Sequence, residues 1–177
     1  MDHEVRREKR FEKEEDRTYC QFIITPETVE DQMPKKAFLS HKSGADKAMV
    51  RRYKEALHAV GVTGWLDEDA MPAGTELERG LLAGFKESCA AVFFITPRYR
   101  DEGYLATEIN YAIAEKRKKG DRFSIITLVI GDADGRAGEV PELLQPYVWK
   151  TPATELEGFS ELMRALPIAT GPVHWKI

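Results

Sequence analysis

A glutamate one helical turn after a tyrosine is the pairing in this chain best suited to chemistry. Tyr104-Leu105-Ala106-Thr107-Glu108 opens a helical pattern just after the apolar run Val92-Phe93-Phe94-Ile95. Side chains four residues apart are neighbours on a helix face. A helix that follows a buried strand begins where α/β sheets bind ligands. On a 3.6-residue wheel Leu105, Ile109, Ala112, Ile113 and Lys116 form the stripe that faces the sheet, with Glu108 at its edge. The expectation is a carboxylate neither fully buried nor freely solvated, beside an aromatic ring, able to meet a small molecule. The plainer reading is a surface helical acid, since functional carboxylates are a minority.

Other candidates sit in three loops: Ser40-His41-Lys42-Ser43-Gly44-Ala45-Asp46, then Asp67 to Thr75, then Thr96 to Gly103. His41 reads as a turn residue touching backbone rather than as a general base, and Lys42 reads as solvated. Asp67-Glu68-Asp69 resembles a metal cluster, but without further ligands it reads better as a solvated or self-association feature. His3, His41, His58 and His174 are scattered away from Cys20 and Cys89, so no zinc spacing exists. Gly44, Gly74 and Gly131 make no phosphate-binding fingerprint. No metal and no cofactor are expected.

The chain has 177 residues, enough for one domain with a real core. Hydrophobic content of 42% with 32% charged residues describes a soluble globular protein, and a net charge of −4 excludes broad nucleic-acid binding, which needs a basic footprint. Two cysteines exclude a disulfide scaffold and point to reducing cytoplasm. Cys89 reads as a small core residue. The start is charged, not leader-like, and no apolar run reaches membrane-spanning length.

Residues 1–34 form a charged extension and linker, with an apolar segment at Tyr19 to Thr25 between the charged start and Pro26. From Lys35 strands and helices alternate. Ala37 to Ser40 is the first strand. A helix follows with Met49, Val50, Tyr53, Ala56, Leu57 and Val60 at helical spacing, with Ser43 and Asp46 as its capping box. Thr63 to Leu66 is the second strand, and Thr75 with Glu78 caps a helix carrying Leu77, Leu81 and Phe85. Val92 to Ile95 is the third strand, followed by the Glu108 helix, which Gly120 stops. Ile125 to Ile130 is the fourth strand, Tyr147 to Lys150 a fifth at the edge. Thr154 and Glu157 cap a last helix with Leu156, Phe159, Leu162, Met163 and Leu166. Residues 167–177 form a tail with Trp175. Such alternation predicts an α/β fold, a flavodoxin-like doubly wound sheet of five parallel strands in the order 2-1-3-4-5, with its crevice between the first and third strands.

Over residues 35–166 these features resemble the Toll/interleukin-1 receptor (TIR) domain family. The family's first box is similar to Phe38-Leu39-Ser40-His41 with the later Asp46. Its loop after the second strand resembles Leu66-Asp67 through Pro72-Ala73-Gly74. Its Ser/Thr-Pro-x-Tyr and Trp-x-x-x-Glu segments resemble Thr96-Pro97-Arg98-Tyr99 and Tyr104 to Glu108. Tyr104 stands where the family usually has Trp. Phe159-Ser160 replaces the Phe-Trp of receptor-type members, which favours a bacterial-style enzyme over a receptor adaptor.

The resemblance implies either an enzyme that cleaves the nicotinamide–ribose bond of NAD+, to ADP-ribose or a cyclic product, or a non-catalytic scaffold working through TIR–TIR contacts. Small standalone members resemble components of the Thoeris anti-phage system, where the product would signal to an effector partner. In NAD+ the leaving group is already a cationic pyridinium that departs neutral without a proton. One carboxylate can then suffice where glycosidases use two. Glu108 is the catalytic candidate. Tyr104 would pack beside ribose or nicotinamide, and Ser40, His41, Lys42, Asp67, Met71 and Thr96 complete the substrate-binding set. The loop through Met71-Pro72-Ala73-Gly74 is assigned to gating or self-association, and a site shared across subunits is implied. No nucleic acid and no membrane are expected as partners. A flavodoxin-like receiver is disfavoured, because the first and third strands end in Ser40 and Thr96 rather than in acids.

Overall fold

Strand and helix alternate from Lys35 onward because apolar runs of four to six residues are separated by amphipathic helical stretches. The computed structural model describes residues 35–42, 44, 46–99 and 103–168, without the side chains of Glu68 and Tyr104. The extension 1–34, Ser43 and the tail from residue 169 lie outside the described residues. The elements are β1 (Lys35–Ser40), α1 (Lys47–Ala59), β2 (Val62–Trp65), a one-turn helix α2 (Asp67–Ala70), α3 (Leu77–Glu87), β3 (Ala90–Ile95), α4 (Tyr104–Lys119), β4 (Ser124–Val129), β5 (Trp149–Lys150) and α5 (Glu155–Ala165). They form one five-stranded sheet in the order β2-β1-β3-β4-β5 with every pairing parallel, the arrangement expected from the sequence.

Side-chain parity divides the core in two. Ala37, Leu39, Val92, Phe94, Ile126 and Leu128 point to the face covered by α1 and α5, where they meet Val50, Tyr53, Leu57 and Leu162. Their alternates Phe38, Phe93, Ile95, Ile125 and Val129 point to the face of α3 and α4 and meet Leu81, Phe85, Leu105 and Ile109. A strand covered on both faces must be apolar at every position, which is why β3 reads as an unbroken run. Phe38 stacks on Trp65 at 4.5 Å and on Phe85 at 3.8 Å between ring centroids. A Cβ at Gly84 would lie 2.7 Å from the Trp65 ring, so this approach of α3 to β2 requires glycine.

Several expected boundaries and caps change. β2 spans Val62–Trp65 rather than Thr63 to Leu66, because Leu66 turns the chain into α2 and its carbonyl accepts from the amides of Asp69 and Ala70. The residues at the N-cap positions of α1 and α3, Asp46 and Glu76, make no side-chain cap bond; Ser43 of the expected α1 capping box lies outside the described residues. Glu78 instead accepts from the Tyr111 hydroxyl at 2.9 Å, tying α3 to α4. The cap of α5 forms as read, with Thr154 Oγ1 accepting from the Glu157 amide at 3.1 Å. Gly120 takes a φ of 58° at the end of α4, a conformation that suits glycine. Cys89 is half-buried at the foot of β3.

At the end of α4 the Lys119 ammonium donates to the carbonyls of Phe85, Lys86 and Ser88 at 3.1, 2.7 and 2.8 Å, and lies 3.1 Å from Glu115 Oε2. One cation thus satisfies the open carbonyl end of α3 and neutralises a buried acid. Lys119→Met is expected to lower unfolding free energy by about 1–3 kcal/mol. Arg117→Met, at an exposed position two residues before Lys119, should change it by less than about 0.5 kcal/mol. Urea denaturation of the two variants checks the difference.

Candidate functional site

Strand parity sends Ser40, like Phe38, toward α4, and α4 presents Glu108 to it. Glu108 is only 6% exposed, so the expectation of a half-open carboxylate is corrected. The reason is the rotation of the helix: its buried stripe is Leu105, Glu108, Ile109, Ala112 and Glu115, while Ile113 and Lys116 are only half-buried. Burial pushes the Glu108 carboxyl up to about 8; the Ser40 hydroxyl works against this shift, and the Asp67 carboxylate adds to it. Ser40 and Glu108 therefore face each other, but the pair falls short of a full hydrogen bond. Ser40 Oγ, Glu108 Oε2 and the Nε2 of the adjoining His41 are all buried without a partner. Native proteins leave few such atoms, and three around one strand end mark a place where a ligand would supply the missing bonds.

A strut holds the two loops of this crevice together. Asp46, 3% exposed, accepts from Thr96 Oγ1 at 2.9 Å and from Arg98 Nη2 at 2.5 Å. The carboxylate expected to help cap α1 is thus spent on the loop after β3, fifty residues on. Gly138 packs so closely under this point that a Cβ there would collide with the Thr96 carbonyl. Arg98 was missed as a functional position. The available signal was an acid and a base in two loops that a doubly wound sheet brings together at its switch point.

The remaining candidates divide. Asp67 lies near enough to Glu108 to influence it. Asp69 faces away, pairing with Lys54 at 2.6 Å and Arg51 at 3.1 Å on α1, so the acidic triplet is not a uniformly solvated feature. Met71 is half-buried against the apolar cluster under α3 and α4, followed by exposed Pro72, Ala73 and Gly74. The Thr96 hydroxyl is committed to Asp46, and Lys42 is exposed. Tyr104 opens α4, one turn before Glu108, but its side chain lies outside the described residues. Among the described residues no group of three His, Cys, Asp or Glu side chains is placed to hold a metal ion.

Two shallow grooves lie away from this cluster, one of about 220 Å³ between α1 and α5 and one of about 290 Å³ beside β5. Volume alone would nominate them. The buried cluster at the carboxyl ends of β1 and β3 is preferred because it concentrates unpartnered polar atoms and a displaced carboxyl.

The profile of a family described as "TIR domain" matches residues 37–163. Of the curated proteins, none matches. Among solved structures, the chain is similar to that described as the activated Roq1 resistosome directly recognizing the pathogen effector XopQ (TIR domains), with 18% identity and a TM-score of 0.47. The match covers 53% of this chain and 57% of that one, so the chain spans little more than half the length of that structure.

Asp46→Ala is expected to lower stability by about 1–3 kcal/mol, because Thr96 loses its acceptor and Arg98 its carboxylate; urea denaturation measures it. Glu108 gives a second outcome. Its folded-state value of about 8 stands above the ordinary glutamate value of 4.5, so the folded protein holds a proton that the unfolded chain releases. The stability this confers is fully present below about pH 4.5 and is lost as pH rises through about 8. Urea midpoints at about pH 5, 7 and 9 should fall in the wild type and fall less in Glu108→Gln.

Proposed function

Because the chain belongs to the TIR domain family, we propose that it is an NAD+ nucleosidase with Glu108 as its catalytic carboxylate. It cleaves the nicotinamide–ribose bond to release nicotinamide and ADP-ribose or a cyclic ADP-ribose-type product. The observation that carries this reading is the buried, partly unpartnered Glu108 carboxyl facing Ser40 at the mouth of β1. Ribose hydroxyls would satisfy Glu108 Oε2 and Ser40 Oγ. Tyr104 stands at the first residue of α4, in sequence position to wall the sugar or the nicotinamide ring. His41, Lys42, Asp67, Met71 and Thr96 complete the set of candidate substrate residues, with Thr96 acting through Asp46.

The chemistry follows from charge. The C1′–nitrogen bond breaks with its electron pair moving onto the pyridinium, which leaves as neutral nicotinamide. Positive charge develops on the ribose ring, where an ionised Glu108 stabilises it. Water then adds to C1′ and sheds a proton, or a nucleophilic nitrogen of the same dinucleotide closes a ring. Glu108 in the resting protein favours its neutral form, and the incoming pyridinium cation favours the anion. Substrate entry therefore charges the group at the moment charge is needed.

The chain is further assigned to bacterial-type anti-phage signalling in the cytoplasm, where an effector partner would sense the product. Self-association would use the exposed loop through Pro72. Among the described residues no helix is long and apolar enough to cross a membrane. The competing reading is a non-catalytic TIR scaffold, which the exposure of Pro72, Ala73 and Gly74 favours.

Incubation with NAD+, following nicotinamide and identifying products by mass spectrometry, tests the enzyme. Glu108→Gln should lower turnover by about 10²-fold or more, the scale of losing one transition-state charge partner. Equal and negligible turnover of wild type and Glu108→Gln, at high protein concentration with a crowding agent, rejects catalysis. In an active wild type, kcat/KM should rise with pH through about 8, the free-enzyme value, while kcat should rise at lower pH because bound cation favours the anion. For the scaffold, Pro72→Ala should abolish self-association and Glu108→Gln should leave it intact.

A further inference from the structure

The segment after β2 carries two fastenings that the proposed reaction leaves unexplained. Leu66 keeps the chain extended, with φ −122° and ψ 135°, before α2 turns it. The last pairing of β1 with β2 sets Phe38 opposite Trp65. Two residues further along the two chains are Ser40 and Asp67, so Asp67 stands level with Ser40 and on the same face of the sheet. That is the face on which α4 presents Glu108. Carboxyls so placed oppose each other's charge, and the effect of Asp67 on Glu108 has that sign.

A helix of one turn does not keep an acid in place by itself. α2 is four residues long, far below the length that stays helical in water unaided. The hold comes from its neighbours. On the α1 side, Asp69 Oδ2 accepts from Lys54 Nζ at 2.6 Å and Asp69 Oδ1 from Arg51 Nη2 at 3.1 Å. Lys54 lies close over β2 because Gly64 has no side chain: a Cβ there would be 2.9 Å from Lys54 Cγ. On the α3 side, Met71 sits on Gly80, where a Cβ would be 2.3 Å from its sulfur. Two glycines thus make room for one fastening each.

The ion pair contributes little to folding. The Lys54 and Asp69 side chains are 31% and 34% exposed, and water weakens such pairs. Lys36 and Glu87 make a pair of the same 2.6 Å length at the start of β1, remote from the site. What distinguishes Asp69 is its place, in the same turn of helix as Asp67. The amides of Asp69 and Ala70 donate to the Leu66 carbonyl, and the Met71 amide donates to the Asp67 carbonyl at 3.0 Å. A constraint on Asp69 or Met71 is therefore a constraint on Asp67.

We infer that Lys54 and Asp69 are positioning residues of the candidate site: their ion pair holds α2 against α1 and keeps the Asp67 carboxylate beside Glu108, against the repulsion between the two. Met71 on Gly80 fastens the other end of the same segment, so the part of this loop left to move begins at Pro72, from which residues 72–76 are exposed. In the proposed reaction the fixed Asp67 adds its negative charge to that of Glu108 where the ribose cation forms. That contribution to turnover rests on the proposed function; the placement of Asp67 does not.

Titration of Glu108 in the full chain, followed by NMR of carbon-13-labelled glutamate carboxyls and assigned with Glu108→Gln, tests the placement. The groups that face Glu108 from other elements are the Ser40 hydroxyl and the adjoining His41 at the end of β1, and Asp67 on α2. Asp69→Asn and Lys54→Met each remove one partner of the ion pair. Acting directly through space, they would shift Glu108 in opposite directions, since one removes an anion and the other a cation. Acting through position, both let Asp67 withdraw. Both should then lower the Glu108 titration point by about 0.5 unit or more, and the double variant should shift it no further than either single one. Lys36→Met should leave it unchanged, and urea midpoints near that of the wild type confirm folding. With NAD+ as substrate, kcat at high pH should fall about threefold or more in both single variants and stay unchanged in Lys36→Met. Shifts of opposite sign, or no shift in either variant, overturn the inference. A wild type that never turns over NAD+ overturns the proposed reaction instead, and the titration still decides the placement.

Discussion

Two glutamates on one helix stripe, seven residues apart, meet opposite fates, and the difference defines this protein. Both Glu108 and Glu115 are buried on α4. Burial works against the charge of each. At Glu115, Lys118 and Lys119 overcome it and hold the carboxyl below its ordinary range. At Glu108 no cation among the described residues answers, Asp67 deepens the penalty, and the group rises to about 8. A lone buried carboxyl with an unpartnered oxygen is destabilising by about 1–3 kcal/mol. Under the proposed function this difference separates a structural acid from a chemical one.

The rest of the fold fixes where that carboxyl sits. Parity along β1 aims Ser40 at α4, and the stack of Phe38 on Trp65 and Phe85 fixes the strand from below. Asp46 fastens the loop after β3 to the start of α1. This strut replaces helix capping, because a carboxylate can either close its own helix end or reach across to Thr96 and Arg98. The loops on either side of the switch point are thereby coupled to each other before any ligand arrives.

Much of this was legible in the sequence. Apolar runs placed four strands to within two residues, and their alternation with helices left few sheet orders, of which the flavodoxin-like one leads for five strands. Thr154 with Glu157 was readable as a cap because both partners are local. The same spacing misled at Asp46 and Glu78, whose partners Thr96 and Tyr111 are fifty and thirty-three residues away. A local pattern carries no information about such competition. Glu108 was placed on the right helix and at the right end of the sheet. Its burial was underestimated because five apolar or amphipathic positions define a stripe only to within a fraction of a turn, and the true axis runs through Glu108 rather than past it.

That rotation has a chemical consequence. A glutamate at the edge of the stripe would be solvated, ionised and surrounded by water that screens it, so it would stabilise a developing cation weakly. In the stripe, the same group is shielded from water, and its charge acts through a medium of lower effective dielectric. The penalty is that the resting group favours its neutral form. In the proposed reaction a cationic substrate removes that penalty and uses the stronger field, whereas a neutral glycoside would draw on the retained proton instead. Under the proposed reading the raised carboxyl must therefore lose its proton before it can stabilise a cation, and a substrate that arrives positively charged drives that loss by electrostatics alone.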